Sequence, residues 1–117
     1  MMTVNEALSQ VSKDLTAGNI APKTFDMNTC REERKCGTVS CIGGWAITYM
    51  YPNFEGDNTV AIKCMAQLIN QNPKLSQLFY PKVPDWQNIT TDHAAKAIDQ
   101  YLLSGQVDWK KVLGVRK

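Results

Sequence analysis

Four cysteines and one histidine are the residues of this chain best equipped for chemistry. Cys30, Cys36, Cys41 and Cys64 are separated by five, four and twenty-two residues, and His93 is the single imidazole. A structural zinc ion takes four tetrahedral ligands, commonly from two closely spaced Cys or His pairs. Only Cys36 and Cys41 approach such a pair, and no second pair follows. Cys36, Cys41 and His93 are therefore weak metal-ligand candidates that need the helix carrying His93 to fold back onto Cys41. The plainer reading is buried thiols packed as small hydrophobes, with no metal and no cofactor. Cys41 also falls near a helix start, where the dipole lowers a thiol pKa, with His93 as a distant base. The apolar run around it argues instead for an inert, buried thiol. No P-loop, dinucleotide glycine motif, H-E-x-x-H or G-x-S-x-G is present, and no two carboxylates lie one helical turn apart on an apolar face. No catalytic residues are assigned, and the expectation leans away from an enzyme.

Aromatic residues beside lysines supply the better binding candidates. Tyr80, Lys82 and Trp86 occupy a segment with prolines at 81 and 84, and Lys110 and Lys111 follow Trp109. Aromatic and basic residues together suit a protein-contact hot spot or a platform for a base. Tyr80, Lys82, Trp86, Lys110 and Lys111 are the expected partner-binding residues. The competing reading is that Trp86 and Trp109 fold back over the core.

The elements that position these residues follow from periodicity and punctuation. Thr3-Val4-Asn5-Glu6 reads as a capping box, and Val4, Ala7, Leu8, Val11 and Leu15 share one helical face before Gly18. Residues 19–38 form a connector in which Phe25 and Met27 suit a short extended piece near 24–27, while Arg31 to Lys35 reads as a solvated loop or turn. No charge occurs from Cys36 to Phe54, which predicts a central apolar helix over about 39–51, capped by Thr38 or Ser40. Gly43 and Gly44 lower helix propensity by about 1 kcal/mol each, so a close neighbour is expected against them. Further helices are predicted from about Asn58 to Asn72 with Cys64 in the core, from Thr90 or Thr91 to Ser104, and from Trp109 to Leu113 behind an Asp108 cap. The expected fold is all-α: one domain over 1–117, a compact bundle of about four helices.

The residues Phe25-x-Met27, Cys36-Gly37-Thr38-x-x-Cys41-Ile42-x-Gly44, Leu78-Phe79 with a following proline, Ile89-Thr90 and Gly105-x-Val107-Asp108-Trp109 resemble a group of small uncharacterised proteins from phages and bacterial genomes. The resemblance implies a shared structural element at Cys36–Gly44 and a phage or mobile-element setting, without implying an activity. Cys30 and Cys64 fall outside the pattern.

Net charge is +2, but its distribution is uneven: residues 1–57 hold five basic and seven acidic side chains, and residues 58–117 hold eight and four. A basic C-terminal half can meet nucleic acid or an acidic partner. The N-terminus reads as lacking a signal peptide, and the apolar run from Val39 to Tyr51 is short for a membrane span. A cytoplasmic protein with reduced thiols, away from the membrane, is expected. The leading functional expectation is a small non-enzymatic binding or inhibitor protein that occupies a host protein or a small signalling molecule. Nucleic-acid binding through the basic half, and a metal- or thiol-dependent role for Cys36 and Cys41, are the alternatives. The sequence leaves the oligomeric state open.

Overall fold

The computed structural model describes residues 3–20, 22–27, 32–34, 37–51, 58–81, 83, 86 and 89–113. The predicted small helical bundle is present. Its main helices are α1 (Val4–Ala17), α2 (Ile42–Met50), α3 (Asn58–Gln71) and α5 (Thr91–Ser104), with short α4 (Ser76–Phe79) and α6 (Trp109–Leu113).

Local capping starts and stops α1 and α5 where the sequence predicts. Thr3 Oγ1 accepts from the Glu6 amide at 3.1 Å, and Glu6 Oε1 accepts from the Thr3 amide at 3.0 Å. Those bonds hold the Glu6 carboxyl below its ordinary range. Gly18 ends α1 at φ 83°, a left-handed turn that a side chain would strain. Thr90 caps α5 in the same way, with His93 in the glutamate's place: His93 Nδ1 accepts from the Thr90 amide at 3.2 Å. Ala7, Leu8, Val11 and Leu15 of α1 are buried, as are Ala94, Ala97 and Ile98 of α5, and the two helices pack together. Ser12 locks that contact by donating to Asp99 Oδ1 at 2.6 Å.

The start of the central helix differs from expectation. Gly37–Val39 is a strand (β2) paired antiparallel to Glu32–Arg34 (β1), with Glu32 opposite Val39 and Arg34 opposite Gly37. Part of the segment expected to be a solvated loop is thus one side of a hairpin. Ser40 forms a parallel bridge with Phe25. Its amide donates to Thr24 O at 3.1 Å, and its carbonyl accepts from the Asp26 amide at 3.2 Å. The 24–27 segment is therefore extended where it meets Ser40, with Phe25 and Met27 buried as predicted. These pairings engage the backbone of 37–40, so Cys41 rather than Thr38 or Ser40 becomes the cap of α2.

α2 is interior: Ile42, Gly43, Gly44, Ala46, Ile47 and Met50 are buried. Within it Ile47 is fully buried, while Trp45 and Tyr49 are half-buried. Both aromatics are turned to partners at the rim. The Trp45 indole donates to Thr24 O at 3.1 Å, and the Tyr49 hydroxyl donates to Asp14 Oδ2 at 2.5 Å. The predicted close neighbour of the glycine pair is Met65 of α3, whose Cε lies 2.6 Å from where a Gly43 Cβ would stand. α3 buries Ala61 and Met65, whereas Cys64, placed in the core by sequence, is half-buried.

Candidate functional site

The segment after α5 is held in place by side chains from neighbouring helices. Gly105 ends α5 at φ 76°, and residues 106–108 then run unpaired by any strand toward α6. The three amides of 106–108 are nevertheless bonded. The Gln106 amide donates to Ser104 Oγ, the Val107 amide to Gln77 Oε1 at 2.9 Å, and the Asp108 amide to Gln100 Oε1 at 2.9 Å. Gln77 of α4 is the main clamp. Its Nε2 donates to Lys74 O and Gly105 O, and its own carbonyl accepts from the Trp109 indole at 2.5 Å. Asp108 Oδ1 in turn accepts from the Lys111 amide at 3.1 Å and starts α6, as the sequence predicts.

This clamped segment forms one wall of an open cleft of ≈ 480 Å³. Tyr80, Val83, Val107 and Trp109 give it apolar surface, and Ser76, Gln77, Gln106, Asp108 and Lys110 give it polar groups. Trp109 is 6% exposed, so it belongs to both core and cleft. Tyr80 is 38% exposed and lies 6.4 Å from Trp86, ring centre to ring centre. The Trp86 indole donates to Pro81 O at 2.9 Å, which holds that ring beside Tyr80. A shallower cleft of ≈ 320 Å³ shares Gln106 and Asp108 and adds Gln100, Leu103, Ser104 and Lys111. Leu103 there is 90% exposed. The groups present are phenol, carboxamides, aliphatic side chains, amines and one carboxylate already bonded as a helix cap. They suit recognition by contact and hydrogen bonding.

Of the five residues predicted to bind a partner, Tyr80 and Lys110 line the same cleft, Trp86 stands beside Tyr80, and Lys111 lines the adjoining cleft. Lys82 lies outside the described residues. Sequence reasoning missed Gln77, Val83, Leu103, Gln106, Val107 and Asp108 as surface formers. For Asp108 the cap signal was present, but its place beside the cleft depends on a non-local glutamine.

The weak metal candidates are not gathered by the described residues. Cys41 is 1% exposed and caps α2, its Sγ accepting from the Gly44 amide at 3.5 Å. His93 belongs to the cap of α5, and Cys30 and Cys36 lie outside the described residues. Among the described residues, no three His, Cys, Asp or Glu side chains converge as metal ligands would. Nor is any described helix long and apolar enough to cross a membrane. No protein-family model matches the chain, and no curated protein or solved structure matches it significantly.

Proposed function

We propose that this protein is a non-enzymatic binding module that engages another protein through the cleft between α4 and the α5–α6 connection. The observation that carries this reading is a preformed recess. Tyr80, Val83 and Val107 give it apolar surface, and the Val107–Asp108 side is clamped by Gln77 and Gln100. A clamped surface loses little conformational freedom on binding, so contact energy is retained as affinity. The resemblance to phage and bacterial proteins makes a bacterial host protein the expected partner, and occupation of that partner the expected mode of action.

The test uses Gln106→Trp, which adds bulk where the two clefts meet at a residue already exposed. Tagged native chain and variant, matched in melting temperature, are used to capture protein from a bacterial host lysate. A stoichiometric partner retained by the native chain and lost by the variant supports the reading. Equal retention by both contradicts it.

A further inference from the structure

Resting on the cleft as a binding site, we infer that its partner presents an amphipathic helix whose apolar face is flanked by acidic residues. Backbone pairing is disfavoured first. The amides of 106–108 already donate to Ser104, Gln77 and Gln100, so an added strand would find no free donor along this segment. Recognition therefore falls to side chains, and the apolar ones form separated anchors. Leu103 projects from the end of α5 at 90% exposure, and Tyr80, Val83 and Val107 line the deeper cleft on the other side of Gln106. A helix offers apolar side chains along one face to such separated anchors without needing backbone donors from this segment.

The charge of the rim selects the partner's flanks. Lys110 lines one cleft and Lys111 the other, and Lys74 Nζ lies 3.5 Å from where a Gly105 Cβ would stand. The one acid lining either cleft, Asp108, has Oδ1 occupied by the Lys111 amide. The rim is thus cationic, and opposite charge at a rim steers and selects partners. Nucleic acid fits less well. The anchors are mainly aliphatic, with Tyr80 the one aromatic ring among them, whereas bases are held by stacking on aromatic faces.

The test is a display library of amphipathic helices, randomised at the apolar positions, made once with glutamate flanks and once with lysine flanks. The full chain is the bait, with Gln106→Trp, Leu103→Ser and the double variant Lys110→Glu/Lys111→Glu as controls. The expected result is enrichment from the glutamate library. Binding should be lost with Gln106→Trp, weakened about tenfold by Leu103→Ser, and reversed in charge preference by the double variant. Enrichment of lysine-flanked helices that Gln106→Trp abolishes overturns the acidic assignment and leaves the binding-module reading standing. No cleft-dependent enrichment from either library overturns the helix inference, while the lysate capture with Gln106→Trp decides the binding-module reading on its own. A single-stranded oligonucleotide that binds more tightly than the acidic helices, and is displaced by Gln106→Trp, overturns the inference in favour of nucleic acid.

Discussion

Gly43→Ala tests the packing of the molecular interior. In isolation the change favours α2, by at most about 1 kcal/mol, because alanine restricts the unfolded chain and suits a helix. The surroundings oppose it. The new Cβ would stand 2.6 Å from Met65 Cε, 2.9 Å from Sδ and 3.1 Å from Cγ. Rotating the terminal methyl alone does not relieve three successive atoms, and Met65 is fully buried, so its displacement presses on other core groups. Overpacking of this kind costs about 1–3 kcal/mol, which leaves a net destabilisation of about 1 kcal/mol after the helix gain. Met65→Ala alone should cost about 2–5 kcal/mol through lost burial and a cavity. Combined, the two changes should not add: with the thioether removed, the Gly43 methyl enters vacated space and Gly43→Ala becomes stabilising. Urea unfolding followed by tryptophan fluorescence on the four proteins gives the cycle, and a coupling of about 1–3 kcal/mol is expected. Additivity within experimental error, or stabilisation by Gly43→Ala in the native background, would refute the packing assigned to this glycine.

Further outcomes follow from the rim and the clamp. Tyr49→Phe removes the hydroxyl that holds the Asp14 carboxyl below its ordinary range, an effect to which Asn19 and Gln10 add. A lowered folded pKa contributes stability above the unfolded carboxyl range and loses it as pH falls through the folded value. The variant should therefore cost about 1 kcal/mol at pH 7 and less at acid pH, as urea unfolding at the two pH values would measure. Tyr49 itself is pushed upward by burial first and then by Asp14, so the same pair should also lose stability as pH rises above the ordinary phenol range. Gln77→Ala leaves the Val107 amide without its acceptor, and hydrogen exchange at Val107 should accelerate while α1 stays protected; Gln77→Glu, which keeps an acceptor oxygen, should restore that one amide. Alkylation mapped by mass spectrometry should modify half-buried Cys64 in the folded protein and Cys41 only after denaturant is added. Equal rates at the two thiols would contradict the burial of the α2 cap.

What the sequence made legible was local. Thr3 with Glu6, Gly18, Thr90 and Asp108 each act within a few residues, and each stands where its type and spacing predict. The start of α2 was not legible for the opposite reason. Thr38 and Ser40 are good caps by residue type, but Thr38 pairs with Glu33 of β1 in a charged stretch that carries no strand pattern, and Ser40 pairs with residues at 24–26, more distant in sequence. Cys41, a weaker acceptor, was left at the helix end. The half-burial of Trp45 and Tyr49 has a similar non-local origin, since they find hydrogen-bond acceptors at Thr24 and Asp14 and so settle at the rim. At the cleft, aromatic and basic composition pointed to Tyr80 and Lys110, whereas Gln77 carries no signature: a glutamine that clamps a loop thirty residues away reads like any surface amide.

The binding role is tested most directly by adding a captured or selected partner to the isotope-labelled chain and mapping amide shifts by nuclear magnetic resonance. The account predicts perturbation concentrated at 76–80 and 103–111, with the solvent-facing side of α1 unchanged. Shifts centred on α1 or α3, with 103–111 silent, would contradict it.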